Sequence, residues 1–129
     1  MNFWELNIVG EVACVSIVPN IPFTQESFSE YSDAYTSVYS SCPEFYWVFD
    51  TRNMATENVP EWFWLEQYKL TTSQRKNKKQ VKGVCIILSS NELALLINTL
   101  LKLYDTDRPT HLTTDVEDAY AWLTKNNSV

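Results

Sequence analysis

Residues 44–70, EFYWVFDTRNMATENVPEWFWLEQYKL, contain the pattern that decides the fold. The residues Phe45–Phe49 are all aromatic or β-branched, which is typical of a short central strand covered on both faces. Asp50 ends this strand, and a polar segment follows it. A helix rich in aromatic side chains is predicted next, from Val59 to about Thr72 and at most to Arg75. Functional residues of open α/β sheets commonly lie at such strand ends, so we look for a site there first.

Similar patterns place the other elements around this strand. Apolar runs predict further strands at residues 3–9, 12–18, 81–88 and 110–113. Helical spacing of apolar residues predicts further helices between Thr24 and Pro43, at 91–104 and at 115–125. The short turn Gly10-Glu11 makes the first two strands an antiparallel hairpin. The order β-β-α-β-α-β-α-β-α then predicts an α/β fold, with a mixed, mostly parallel five-stranded sheet and four helices.

The helix starts carry recognisable capping residues. Thr24 is predicted to cap the first helix, with Phe23 and Phe28 as a hydrophobic staple. Capping-box spacing occurs at Asn58 and Glu61, at Ser89 and Glu92, and at Thr114 and Glu117. In the last helix, one apolar face is predicted to hold Val116, Ala119, Tyr120 and Leu123.

Length and charge limit the classes of function. The 129 residues predict one domain, residues 1–129, with an ordered core at about 3–124. The net charge of −6 predicts no binding to nucleic acid. Two glycines exclude a phosphate-binding loop of the P-loop or Rossmann type. No signal peptide and no membrane span are recognisable, so the chain is predicted to be cytoplasmic, without stable membrane insertion.

The cysteines and the histidine predict neither a metal site nor a cofactor. Cys14, Cys42 and Cys85 are odd in number and lack CxxC spacing, as expected of reduced cysteines in a cytosolic protein. His111 has no serine or cysteine nucleophile beside it in the sequence, so no catalytic residue is assigned. Asp50 is the best single candidate for a site residue, although an acid at a strand end also commonly caps the next loop.

Three segments resemble the STAS domains, the fold of the bacterial anti-sigma-factor antagonists. The matching segments are Tyr46–Asp50 (YWVFD) as the acid-ended central strand, Val84–Ser90 (VCIILSS) as the next strand, and Leu112–Leu123 (LTTDVEDAYAWL) as the last strand and helix. With the order of elements, the resemblance covers nearly the whole chain from Trp4. It implies a non-enzymatic regulatory or protein-interaction module.

One departure from this family concerns its phosphorylation switch. Antagonists of the family carry Asp-Ser-Ser-Gly before the second helix, and a partner kinase phosphorylates a serine of that motif. Residues 50–60 contain neither serine nor glycine, and Thr51 and Thr56 are their only hydroxyls. Phosphate at a threonine near the helix start remains one interpretation. An ordinary helix start capped by Asn58 is the other.

The second predicted helix carries more aromatic rings than one packed face hides. A helix buries about a third of its circumference against a sheet, and Trp62, Phe63 and Trp64 spread over a wide arc. We therefore expect at least one ring to be partly exposed, on a partner or ligand surface. Shielded core aromatics are the alternative. The surplus leucines Leu95 and Leu103 similarly fit either self-association through a homodimer interface or ordinary surface exposure.

Basic residues concentrate after this helix, at Lys69, Arg75, Lys76, Lys78, Lys79 and Lys82. Residues 74–80 are predicted to form a mobile loop. Its basic residues Arg75, Lys76, Lys78 and Lys79 fit two interpretations. They compensate the negative end of the helix dipole, or they contact an anionic partner.

The sequence therefore predicts a protein-interaction surface formed by the loop from Asp50 to Asn58 and the start of the second helix. The alternative is a binding domain for a small apolar or anionic ligand, such as a lipid or nucleotide. In that alternative the aromatic helix is the wall of the pocket and the basic segment is its polar end.

Overall fold

The computed structural model describes residues 1–54, 59–89 and 109–127. The five strands are β1 (Trp4–Val9), β2 (Val12–Ile17), β3 (Phe45–Asp50), β4 (Val81–Ile87) and β5 (Thr110–Thr113). The described α-helices are α1 (Gln25–Ser41), α2 (Glu61–Ser73) and α3 (Val116–Asn127), and a 3₁₀ helix spans Arg75–Gln80. The predicted helix at 91–104, its capping box and its surplus leucines lie outside the described residues.

The strands form one sheet in the order β1-β2-β3-β4-β5. The pair β1 and β2 is antiparallel, and each later neighbour is parallel, so the predicted mixed, mostly parallel α/β sheet is confirmed. In the hairpin, Val9 pairs with Val12 across two residues. Gly10 takes a φ of 60° at the first of these two positions, where glycine is favoured in a type II′ turn.

One face of the sheet, which we call the aromatic face, carries α1 and α2. Its core consists of interleaved rings because both helices and the strands supply aromatic side chains. The ring of Trp47 on β3 stacks on Tyr35 of α1 with centroids 4.5 Å apart. The core of this face includes Phe3, Ala13, Val15, Ile17, Phe28, Tyr31, Tyr35, Val38, Phe45, Trp47, Met54, Phe63, Leu70 and Val81.

The opposite face, which we call the α3 face, is covered by the last helix. Ala119 and Leu123 of α3 pack on Tyr46, Val48, Cys85 and Ile87 of the central strands. Trp122 crosses β4 at Gly83, where an added Cβ atom would lie 2.9 Å from Trp122 Cη2 and 3.2 Å from the Pro109 oxygen. The absence of a side chain at Gly83 therefore makes room for the indole.

The first helix begins as predicted. Thr24 Oγ1 accepts a hydrogen bond of 3.1 Å from the backbone N–H of Ser27, which satisfies one of the free N–H groups of the helix start. Pro43 follows directly after the C-cap residue Cys42. Since proline has no N–H and a fixed φ, it favours the end of a helix here.

The starts of the other two described helices differ from the prediction. The second helix begins at Glu61, not Val59, with Pro60 at its N-cap and no side-chain hydrogen bond there. Asn58 lies outside the described residues. The last helix is capped by Asp115 rather than Thr114, because Asp115 Oδ1 accepts a 3.0 Å hydrogen bond from the N–H of Glu117 and its carbonyl accepts one from Ala119. At the last helix, Thr114 and Asp115 are adjacent alternatives for the cap.

Two further predictions are wrong. Residues 75–80 form a 3₁₀ helix, where a loop at residues 74–80 was predicted. At its end, Gln80 Nε2 donates to the carbonyl oxygens of Tyr39 at 2.8 Å and Cys42 at 2.9 Å. These bonds satisfy carbonyls at the end of α1. Tyr120 does not belong to the buried face of α3, because 66% of it is exposed. Trp122 packs on the sheet instead.

Candidate functional site

The carboxyl end of β3 holds the predicted site residue Asp50 in an ion pair. Arg52 donates from Nε to Asp50 Oδ1 at 2.9 Å and from Nη2 to Oδ2 at 2.7 Å. These hydrogen bonds lower the pKa of Asp50 below its ordinary value. A carboxylate held ionised in this way is a poor proton acceptor near neutral pH, so the pair fits a structural or recognition role better than acid–base catalysis.

Thr51 joins the ends of two neighbouring strands. Both its backbone N–H and its side-chain hydroxyl donate to the carbonyl oxygen of Ile87 on β4, each at 2.9 Å. Phosphorylation would replace this hydroxyl donor with a bulky dianion. The hydroxyl is thus engaged in holding the strand end. The second candidate threonine, Thr56, lies outside the described residues.

The loop after Thr51 is held against the protein core. The N–H of Met54 bonds to the Thr51 carbonyl at 3.0 Å, and Asn53 Nδ2 reaches the carbonyl of Ile17 on β2 at 3.4 Å. The Met54 side chain is buried in the aromatic core. Sequence reasoning missed this anchor, because one methionine in a polar segment carries no periodic signal. It anchors the loop next to the start of α2.

Phe63 was predicted as part of an exposed partner surface, and that prediction is wrong. The side chain is 5% exposed. Its ring makes edge-to-face contacts with Phe3, Phe23 and Phe28, at centroid distances of 5.9, 5.1 and 5.7 Å. Phe63 therefore belongs to the core, where such contacts stabilise packing beyond simple area burial.

Other side chains of α2 do face solvent. Leu65 is 55% exposed and Tyr68 is 41% exposed, and Trp62 and Trp64 are half-buried at the margins of the core. We call Trp62, Trp64, Leu65 and Tyr68 the α2 outer surface. The spacing contained the signal for it: Phe63 and Leu70 are two turns apart and point inward, so Leu65 and Tyr68, one turn apart, must point away.

The basic residues lie at the other end of α2. Arg75, Lys76 and Lys79 are exposed in the 3₁₀ helix, and Lys78 is half-buried there. The 13 residues of α2 separate them from the aromatic start by roughly 20 Å along the helix axis. The alternative of a ligand pocket with the aromatic helix as its wall and the basic segment as its polar end stays a prediction.

His111 and Asp118 form a second acid–base pair, on the α3 face. His111 Nε2 lies 2.7 Å from Asp118 Oδ2, and the imidazole stacks on Trp122 with an interplanar angle of 6°. The hydrogen bond with His111 is the main cause of a lowered pKa of Asp118. Sequence spacing did not reveal this arrangement, because it links β5 to α3 through a stacked ring.

All three cysteines are free thiols. Cys85 is fully buried, and burial raises its pKa to about 11. Burial also raises the pKa of Cys14. Since the thiolate is the reactive form, Cys14 and Cys85 have little nucleophilic character near neutral pH.

Within residues 1–54, 59–89 and 109–127, no cluster of three or more His, Cys, Asp or Glu residues is arranged to hold a metal ion. None of the helices in these ranges has the length and apolar character required to cross a membrane. Comparisons with protein-family models, curated proteins and solved structures found no match to this chain.

Proposed function

We propose that the chain is a non-enzymatic, regulatory protein-interaction module. Its contact surface is the α2 outer surface together with the adjoining loop at residues 50–54. The observation that carries the proposal is the 55% exposure of Leu65, a large apolar side chain displayed one helical turn from Tyr68.

Burial by a partner would stabilise a complex at this surface. Removing a leucine side chain from water is worth about 1.5–3 kcal/mol when burial is complete. Trp62 and Trp64 stand beside it with part of each ring accessible, and tryptophan and tyrosine are enriched among the residues that dominate binding energy. Interfaces typically have an apolar centre enriched in aromatic residues and a polar rim, and here the exposed Glu61 and Lys69 of α2 supply polar groups beside the apolar side chains.

Rigid support favours recognition over catalysis at this end of the molecule. The inner side of α2 is fixed by Phe63 and Leu70 in the core, and Tyr31 donates a 2.9 Å hydrogen bond to Gln67 Oε1 on its flank. Preorganised surfaces lose less conformational entropy on binding. The resemblance to STAS domains supports a regulatory role of this kind, and the observed mixed α/β sheet agrees with it at the level of fold class.

Site-specific photo-crosslinking in the native cell tests the proposal. A photoreactive phenylalanine analogue at Leu65 is expected to capture a discrete protein partner. The matched control carries the same analogue at Tyr120, which is 66% exposed but lies on α3. Equal adducts from both positions, or none from Leu65, would contradict the assignment of this surface.

A charge substitution gives a second, quantitative test. Leu65→Lys is expected to weaken binding of the captured partner by about tenfold or more, because it removes apolar burial and adds a charge to be desolvated. The fold should persist, since the site is exposed. Unchanged affinity in isothermal calorimetry, with the thermal unfolding curve also unchanged, would remove Leu65 from the interface.

A further inference from the structure

The outer edge of β1 is a second surface, separate from α2. β1 lies at one end of the sheet order, and among the described residues no strand pairs with its outer side. The backbone N–H of Val18 donates to the Phe3 carbonyl at 2.8 Å, and the register pairs Trp4 with Ile17. Because bonded and non-bonded pairs alternate in an antiparallel ladder, Glu5, Asn7 and Val9 bond to β2. The backbone groups of Trp4, Leu6 and Ile8 therefore point outward.

This edge lacks most of the features that usually prevent strands from pairing between molecules, and the charged side chain of Glu5 is the one such feature in β1. Protected edges are short, carry lysine or proline, or contain a bulge. β1 is six residues long, reads WELNIV, and pairs with β2 in unbroken register. Near its tip, Ile8 is 45% exposed and Val9 is 77% exposed. At the opposite end of the sheet, β5 has only four residues and follows Pro109.

We infer that two copies of this chain pair antiparallel through β1, with Leu6 of each copy on the two-fold axis. In this register Trp4 faces Ile8 of the second copy, and Leu6 faces itself. The outward-pointing backbone groups of Trp4, Leu6 and Ile8 thus all face outward-pointing backbone groups of the second copy. Each residue pair exchanges two backbone hydrogen bonds. The result is one continuous sheet through both copies.

The side chains of β1 favour this register. Trp4, Leu6 and Ile8 share the aromatic face, so apolar side chains meet apolar side chains across the axis. On the α3 face, Glu5 of one copy meets Asn7 of the other. If the two-fold axis passed through Glu5 instead of Leu6, Glu5 of one copy would face Glu5 of the other. Like charges directly opposite each other are destabilising. A second copy in this register therefore gives hydrogen-bond partners to the outward backbone groups of β1 without placing like charges opposite each other.

Charge determines the expected salt dependence. Each copy carries a net charge of −6, so the copies repel one another at low ionic strength and screening by salt strengthens their association. A basic peptide added to the same edge would respond in the opposite way, because salt would weaken its attraction.

Hydrogen exchange measured against protein concentration tests the register directly. The amides of Trp4, Leu6 and Ile8 are expected to gain protection as concentration rises, in step with dimer formation in analytical ultracentrifugation. The amides of Glu5, Asn7 and Val9 bond to β2 and serve as internal controls, protected at every concentration. A strict monomer at the highest soluble concentration, or a dimer without added protection at Trp4, Leu6 and Ile8, would overturn the inference.

Opposite charges at one exposed position provide a second test. Asn7→Lys is expected to tighten the dimer roughly three- to tenfold, since the two-fold axis creates two attractive pairs with Glu5. Asn7→Glu should weaken it by a similar factor. Thr124→Lys and Thr124→Glu, exposed on α3, change net charge equally and should shift the dissociation constant less. Equal responses at both positions would refute the register.

Blocking the edge should abolish the dimer. Leu6→Pro removes an outward-pointing N–H that the β1–β2 ladder does not use, so the expected product is a folded monomer. If this variant does not fold, the exchange data and the Asn7 pair still decide the question. Leu65→Lys should leave the dimer unchanged, which separates a failure of this inference from a failure of the α2 surface.

Discussion

The two faces of the sheet are both covered by helices, but different kinds of side chain pack between the helices and the strands. On the aromatic face, α1 and α2 bring rings that interleave with those of the strands, as in the stack of Trp47 with Tyr35. On the α3 face, the described helix α3 packs through Ala119 and Leu123, and Trp122 occupies the space above Gly83. On the aromatic face, α2 places Phe63 among the core rings and leaves Leu65 exposed, whereas on the α3 face the packing of Trp122 depends on the small residue Gly83.

The largest expected effect comes from removing the central ring of the aromatic face. Trp47→Ala deletes a buried indole that stacks on Tyr35 and Phe49 and donates a 3.1 Å hydrogen bond to Tyr39. A loss of about 3–5 kcal/mol in the free energy of unfolding is expected, as measured by urea denaturation. Trp122→Ala is the control on the α3 face. Because that ring is half-buried, its removal should lower the free energy of unfolding by less. Equal losses for the two variants would show that the two faces do not differ in how much one ring stabilises them.

An intermediate effect is expected at Gly83. Gly83→Ala places a methyl group 2.9 Å from Trp122 Cη2 and 3.2 Å from Tyr46 Cδ1. The cost should be about 1–3 kcal/mol from overpacking.

Trp122→Leu should relieve most of that cost, and a double-mutant cycle by urea denaturation measures the coupling. Gly10→Ala is the control, since a φ of 60° strains any residue with a side chain, although no described residue has an atom within 4 Å of the added Cβ. If Trp122→Leu also restored the stability of Gly10→Ala, the coupling between positions 83 and 122 would not be specific.

The smallest effect concerns the ion pair at the end of β3. Arg52→Gln is expected to cost about 0.2–1 kcal/mol at pH 7, as for an exposed pair. The pKa of Asp50 is lower in the folded state, so the contribution is present above its unfolded value of about 3.9. It is lost as the pH falls through the lower folded-state pKa.

Thermal unfolding from pH 7 to pH 2 should therefore show the two curves converging in acid. Lys69→Gln is the matched control on α2, because the Lys69–Glu66 pair is long at 3.5 Å and both side chains are exposed. A difference for Arg52→Gln that persists at pH 2 would assign the effect to packing of the arginine stem.

Much of the fold was predictable from local patterns. The continuous apolar run Phe45–Phe49 identified the central strand, and Thr24 identified the first helix start, because both signals act within a few residues. The start of the last helix was less predictable, since Thr113, Thr114 and Asp115 all offer capping oxygens within one turn. The start at Glu61 was less predictable because Pro60 stands at its N-cap without a side-chain hydrogen bond. For the site, the sequence pattern placed Asp50 at the strand end but could not reveal its ion pair with Arg52.

For the described residues, sequence patterns were enough to predict the order of the strands and α-helices, the hairpin and the mixed α/β sheet, because strand and helix periodicities and turn residues are local properties. Which aromatic residues are buried depended on tertiary packing, because helical spacing shows which side chains of α2 share a face but not which face packs on the sheet. Phe63 is buried and Leu65 is exposed because the elements that α2 packs against determine which face of the helix is buried. The same holds for the open edge of β1, since an edge exists only when the strand order is known.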